Sequence, residues 1–460
     1  MLHGSAIRDR LGLIGIVVTA LVAACPAAPA RAQGVGGGGF GGFGQAVGGI
    51  SIDASGIVKN LDGAARESLA AERRAALAAG AAGVEEGAAE LRKVSLAGLI
   101  GALKAAAGKP LPPEIMFLGG LERITHVFVD TERHDIVLAG PADAITIDAT
   151  GTAVGAASKR PLLHLEDFIA ALRAIDAARS GGIRCSIDPT PEGLGRLQAF
   201  FKTQRGMIGP DPDATVRRME ESLGPQIVTV GGVPGNTRFA HVLVAADYRM
   251  KRIGMGLEPS GVQGLPSYPS LIPAGGAAAS LPRFWLEPSY DPISRDADEL
   301  AWGINGRRMT CLTESDVFGK DGVKRGQGAA DAIAKKWCAA MTAHYDAVAA
   351  QQPIFAELVN CVDLAVVAAL IHGRQLGARA GLDMQPLLDD ETLPLPAYAV
   401  AATVPTVATK MRKGKTWVVT ASGGVQFQPW AFASEAVAVD DLADIRSASL
   451  TNRPADAWRW

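Results

Sequence analysis

The sequence predicts an α+β fold of mixed helices and β-hairpins, closing with a C-terminal helical hairpin followed by strands. Three observations lead there. Short alternating or apolar runs end at Gly, Asn or Asp turns, the mark of hairpins. Runs with apolar residues at i, i+3, i+4 and i+7 are interspersed with them and predict amphipathic helices. The two kinds do not follow a regular βαβ order, which argues against a Rossmann domain or a barrel.

Ile50-Ser-Ile-Asp-Ala-Ser-Gly56 alternates and then turns, and Ile57-Val58 follows. This predicts a hairpin with Gly56 at a φ > 0 position. The pattern recurs at Ile145-Thr-Ile-Asp-Ala-Thr-Gly151. One Asp cannot supply the six to eight oxygens of a calcium cage. Both copies therefore read as turns in which the Asp side chain bonds backbone amides. Residues 61–92 are rich in Ala, Glu and Arg and predict helix, weakened by Gly80, Gly83 and Gly87. Ser95 caps a clearer helix with Leu96, Leu99, Ile100 and Leu103 on one face, ending at Gly108-Lys-Pro110.

Residues 126–130 and 135–138 flank a polar turn and predict a hairpin. Leu165, Phe168, Ile169 and Leu172 mark a helix. Residues 183–187 predict a strand, and Thr190-Pro191-Glu192 starts the next helix. A further helix closes over 216–223, and 227–230 predicts a buried strand. Thr237 opens a helix with Phe239, Val242, Leu243, Ala246, Met250 and Ile253 on one face, stopped by Gly254. Residues 258–283, rich in Pro, Gly and Ser, predict a long connection. Residues 300–304 and 307–313 flank Asn305-Gly306, which suits a type I′ hairpin turn. Residues 329–350 and 353–372 predict an antiparallel helical hairpin. Strands at 416–420 and 425–428 follow, joined by a Ser-Gly-Gly turn.

The 460 residues carry a net charge of −2, with 48% hydrophobic and 20% charged residues. That balance excludes wholesale disorder and argues against a nucleic-acid partner, whose binders are usually basic. At the start, Arg8 and Arg10 precede a 14-residue apolar run over 11–24, and Ala30-Arg31-Ala32 offers a small-x-small cleavage site. This is the order of a secretory signal peptide, and the run is shorter than the ~20 residues of a spanning helix. Cleavage after Ala32 would give an exported, periplasmic or extracellular protein with no transmembrane segment in the mature chain. A rival reading takes Val22-Ala-Ala-Cys25 as a lipobox, with a lipid anchor at Cys25.

The expected organisation is a signal peptide over 1–32 and a Gly-rich linker over 33–49. A main α+β domain over 50–320 and a C-terminal helical hairpin plus β segment over 321–460 follow. Cleavage leaves Cys185, Cys311, Cys338 and Cys361. None belongs to a CxxC pair. In an antiparallel helical pair Cys338 and Cys361 sit about one turn out of register, which predicts free thiols there.

Particular phrases are similar to a bacterial secreted family, domain-of-unknown-function family 1598. They are CSIDPTPEGLGRLQAFF (185–201), SLGPQIVTVGGVPGNTRFAHVLVAADYRMKRIGMGLEP (222–259) and PLLHLEDFIAALRAI (161–175). IVLAGPAD (136–143) and KKWCAAMTAHY (335–345) resemble it as well, so the likeness spans about residues 50–430. The resemblance implies export, often with a Gly-rich segment after the signal, and implies no activity and no site residues.

HExxH, GxSxG and GxxxxGK[ST] are absent from the sequence. No cofactor or metal motif is present. One constellation stands out. Gly231-Gly232-Val-Pro-Gly235-Asn-Thr237 joins a strand to a helix, where exposed amides can approach an anion. On that helix Arg238, His241, Arg249 and Arg252 fall within about a quarter of the circumference. The candidate ligand-binding residues are therefore Gly231, Gly232, Gly235, Arg238, His241, Arg249 and Arg252. The bland reading is a tight turn and a solvated polar face. Two function classes remain. The first is an exported, non-enzymatic cell-envelope protein, binding or structural, whose partner would be an anionic small molecule or an envelope component. The alternative is an envelope enzyme near 231–252 that assembles His241, Asp247 and an Arg on an anionic substrate.

Overall fold

Two mixed sheets and the helices packed on them carry the fold. The computed structural model describes residues 46–80, 87–106, 109–203, 211–273, 279–319, 322–328, 331–413, 415–451, 453–454 and 457–460. The expected signal peptide, Cys25, the linker residues 33–45, Gly83 and Gly108 lie outside these. Among the described residues the larger sheet has seven strands. Their spatial order is Gly322–Gly328, Arg308–Gly319, Arg283–Ser289, Ser422–Phe427, Ile183–Pro189, Gln226–Gly231 and Thr403–Val404. The smaller sheet has six, in the order Ala436–Ala438, Ile293–Arg295, Ala301–Gly303, His126–Asp130, Asp135–Ala142 and Ala89–Ser95. The fold class is α+β, as the sequence predicts.

A central helix, Arg238–Gly254, lies across Ile183–Pro189 and Ser422–Phe427. An apolar helix, Pro353–Gly373, packs on the central helix and on Leu165–Arg173. By length and composition the apolar helix could cross a membrane, yet nearly all of it is buried inside the protein. Leu358, Val362, Leu364 and Val366 have no exposed surface. Each such side chain contributes about 1.5–3 kcal/mol by leaving water. The helix starts with Pro353 at its first position, where the missing amide costs nothing.

The local chemistry read from the sequence reappears in detail. Ile50–Ile52 pairs antiparallel with Val58–Asn60, and Asp53 Oδ1 accepts from the Ser55 and Ile57 amides at 2.9 and 3.0 Å. Its repeat pairs Ile145–Ile147 with Ala153–Gly155, and Asp148 Oδ1 accepts from the Thr150 and Thr152 amides. Both Asp residues serve as turn builders. Ser95 Oγ accepts from the Gly98 amide, and Thr237 Oγ1 accepts from the Ala240 amide.

Other expectations are corrected by tertiary pairing. Residues 89–92 are strand, because Ala89–Ser95 is needed beside Asp135–Ala142. Asn305-Gly306 does not close a hairpin: Ala301–Gly303 pairs with His126–Asp130, and Arg308–Gly319 pairs with Arg283–Ser289 in the other sheet. The turn hands the chain from one sheet to the other. The strand at Gln226–Gly231 is half-buried rather than buried, with Ile227 exposed. The central helix does end at Gly254, though the left-handed residue lies beyond it at Gly256. The C-terminal helical pair is shorter than expected. A break at His344 divides its first member into Ala332–Ala343, which packs on strand Arg308–Gly319, and Tyr345–Gln351, which packs on the apolar helix.

Ser422-Gly423-Gly424 is not a turn but the start of Ser422–Phe427, which lies between Arg283–Ser289 and Ile183–Pro189. The segment 321–460 thus supplies a central strand of the sheet that the segment 50–320 builds. A Cβ at Gly423 would run into the Phe284 carbonyl, and one at Gly424 into the Cys185 carbonyl. Glycine lets three strands close here.

Candidate functional site: a sealed charge cluster and an open basic cleft

The polar residues of the central helix go to three places. At its N-terminal end Arg238 is buried and donates through one terminal nitrogen to Asp167 Oδ2 and through the other to Glu357 Oε1, while its Nε lies 3.9 Å from Glu166 Oε1. Tyr398 donates to Glu166 Oε2 at 3.0 Å, and His164 Nδ1 is 3.8 Å from Glu166 Oε1. His241 Nε2 lies 2.6 Å from the Ala399 carbonyl, with its ring edge-on to Tyr398. Burial raises Glu166 and Asp167 above the usual carboxylate range, even against the pull of Arg238. Burial and the same Arg238 charge push His164 well below the usual imidazole value. Burial opposes the charge on Arg238, but Asp167, Glu357 and Glu166 outweigh it and raise its pKa.

The expected solvent-facing stripe is therefore not what the structure shows. Arg238 has two carboxylate partners already, and the helix-end amide of Ala240 is taken by Thr237. Gly231 packs on the Arg184 side chain, Gly232 takes a positive φ against the Gly182 carbonyl, and Gly235 packs on Val400. The space beside the cluster, between Gly48, Gly49, Arg73, Thr152 and His164, is only about 20 Å³, room for about one water.

Midway along the helix, Asp247 is fully buried and accepts from Lys251 Nζ at 2.9 Å, and Lys251 also donates to the Ile187 and Gly423 carbonyls. Arg249 and Arg252 both bind Glu258, and Arg249 reaches the Gly48 carbonyl at 3.2 Å. His241 and Asp247 thus face different neighbours. Burial pushes the Asp247 carboxyl up to about 7, with Lys251 pulling the other way. The unfolded carboxyl titrates near 3.8, so between these values the folded chain binds the extra proton. The resulting stability is full below about pH 4 and is lost as pH rises through 7. Asp247→Asn should flatten this fall in unfolding free energy by about 2–4 kcal/mol. Urea denaturation from pH 4 to 7 reads it, and an unchanged slope would place the carboxyl in water.

A different region forms an open cleft of about 470 Å³, within the range of small-ligand sites. Its lining brings together Arg123, Lys159, Arg160, Arg307 and Arg308, with only Glu122 and Asp346 as lining carboxylates. Met309, Ala349, Ala356 and Val359 are part of its apolar lining.

Each cation is positioned by the fold. Buried Asp143 accepts from the Ala144, Ala157 and Ser158 amides at 2.7–2.8 Å and so fixes the turn that carries Lys159 and Arg160. Burial acts to raise its carboxyl, and those amides more than offset this and hold it low. Lys159 is itself held at φ 59°. Arg307 binds Asp363, a fully buried carboxylate on the apolar helix that also accepts from Tyr290 at 2.5 Å. Arg308 is 2.8 Å from Asp291, and exposed Arg160 is 3.9 Å from Glu122. Arg123 differs from these. Among the described residues its buried Nε has no hydrogen-bond partner, and no carboxylate forms an ion pair with it. Burial and the like charge of Arg307 lower its pKa, Asp363 and Tyr290 pull the other way, and Arg160 adds a smaller repulsion.

Sequence reasoning missed the cleft because its residues come from four separate segments, 122–123, 158–161, 307–309 and 345–360. A signal was nonetheless present. Glu357, Asn360 and Asp363 interrupt an otherwise apolar helix at three-residue intervals, and a buried carboxylate demands a cation. Glu357 answers Arg238, Asn360 donates to the Pro161 carbonyl, and Asp363 answers Arg307. Among the described residues, no group of three or more His, Cys, Asp or Glu side chains is placed to hold a metal.

No curated protein and no solved structure matches the chain. The likeness noted over 136–143, 161–175 and 335–345 lies outside the stretch that does match a family, and so do all residues of the cleft. Residues 185–268, from strand Ile183–Pro189 through the central helix to Tyr268, match the family described as "Protein of unknown function (DUF1598)".

Proposed function

We propose that this protein is an exported, non-enzymatic binding protein that takes a small anion, a phosphate or carboxylate compound, into the cleft around Arg123. The observation that carries this reading is Arg123, a guanidinium set beside Arg307 and Arg160 whose buried Nε has no hydrogen-bond partner and which forms no ion pair among the described residues. An anion between these groups would relieve their repulsion and supply the missing acceptor. Guanidinium groups suit this role, because their forked donors match two oxygens of a phosphate or carboxylate. The apolar lining favours a ligand with a hydrocarbon or ring portion beside its charged group. Export is supported by the basic, apolar, small-residue order over residues 8–32. The anion reading moves from the loop at 231–237 to the cleft, since the cluster around Arg238 is closed and internally paired.

A melting screen tests the reading. Inorganic phosphate, citrate and a phosphorylated sugar, compared with chloride at equal ionic strength, should raise the melting temperature by several degrees at saturating concentration. A melting temperature that follows ionic strength alone would remove the site.

A further inference from the structure

We propose that Cys311 and Cys338 are joined by a disulfide bond in the mature protein. Cys311 lies in strand Arg308–Gly319 and Cys338 in helix Ala332–Ala343, and the two pack face to face. Their sulfurs are 3.3 Å apart, and both side chains are buried. A bond needs them roughly 1.3 Å closer, at the ordinary S–S length of about 2.05 Å. The register between strand and helix is already fixed one turn further on, where the Cys311 amide donates to Thr342 Oγ1 at 2.8 Å. The sequence weighed Cys338 against Cys361 alone and predicted free thiols at both. The break at His344 turns helix Ala332–Ala343 onto the strand, so its cysteine meets Cys311 and not Cys361.

The remaining described cysteines supply the contrast. All four described cysteines are free thiols in this structure and all are buried, but a sulfur–sulfur hydrogen bond among the described residues joins Cys311 to Cys338 and does not involve Cys185 or Cys361. Burial and the neighbouring Cys338 push the Cys311 thiol well up, so exchange in the folded protein is slow. The bond therefore forms while the chain folds. One thiolate attacks an external disulfide, oxidised glutathione for example, giving a mixed disulfide and one free thiol. The second cysteine then displaces the other glutathione. The two protein thiols lose two electrons and two protons, and the glutathione disulfide becomes two thiols. The product closes a loop that contains strand Gly322–Gly328. It ties the strand that carries Arg308 and Met309 to the helix that leads into Tyr345 and Asp346. The pairing rests on the sulfur geometry, the oxidising compartment rests on the export reading, and neither depends on the anion reading.

The full chain is refolded in a glutathione redox buffer, its fold checked by circular dichroism, then denatured and alkylated without reductant. Peptide mapping should find a Cys311–Cys338 peptide pair lighter by two hydrogens, with Cys185 and Cys361 alkylated. Dithiothreitol should lower the melting temperature of this protein by several degrees and leave that of Cys311→Ser unmoved. Full alkylation of Cys311 and Cys338 in the folded, oxidised sample would overturn the inference, as would a melting temperature insensitive to reductant.

Discussion

Arg238→Ala is expected to lower the unfolding free energy by about 3–5 kcal/mol at pH 7. The side chain is buried and binds two carboxylates, Asp167 and Glu357, that are buried too. Removing the cation leaves those acids in a low-dielectric interior with no opposite charge between them, and Glu166 nearby adds to the repulsion. The loss should shrink as pH falls, because protonation neutralises the stranded acids, and Asp167 and Glu166 already hold their protons more tightly than usual. Guanidinium denaturation at pH 7 and pH 5 checks both points. A change within 0.5 kcal/mol, the ordinary size for a solvated surface residue, would show that the cluster is open to water.

The second large effect is expected at Gly424→Ala, which should cost about 3 kcal/mol or more and reduce soluble yield. The new methyl group would meet the Cys185 carbonyl of the adjacent strand. A flexible side chain could move aside, but this oxygen belongs to the backbone of Ile183–Pro189, which the central helix holds from above. Strand separation or a register change is the only relief. Thermal unfolding of the variant checks this, and a melting temperature within a degree of wild type would contradict the strand packing.

These two positions show what the sequence could and could not reveal. Features set by a few adjacent residues were legible: the Asp53 and Asp148 turns, the Ser95 and Thr237 caps, and the helix over Leu165–Arg173. Features set by distant partners were not. Ser422-Gly423-Gly424 has turn composition, yet its glycines are there because two neighbouring strands leave no space for side chains. Asn305-Gly306 has hairpin composition, yet its flanking strands find partners in different sheets. Arg238 was singled out with its neighbours as an anion ligand, but its acceptors are buried acids 71 and 119 residues away. Nothing in spacing shows whether an arginine meets water, a ligand or a buried acid. The cleft is the extreme case. Arg123, Arg160 and Arg307 are brought together by the Asp143-held turn and by Asp363 on the apolar helix.

That cleft also dictates which substitution is informative. Arg307 neutralises buried Asp363, so its removal would disturb the fold as well as the cleft. Arg123 has no internal ion pair to lose, so Arg123→Ala should keep the wild-type melting temperature in chloride to within about a degree. Calorimetric titration of wild type and Arg123→Ala with citrate, at fixed ionic strength and neutral pH, is the direct measurement. The account predicts one site in the wild type and about 10–100-fold weaker binding in the variant, the worth of a charged hydrogen bond of about 1.5–3 kcal/mol. Equal binding by the two proteins, or no binding of citrate or phosphate by the wild type, would contradict it.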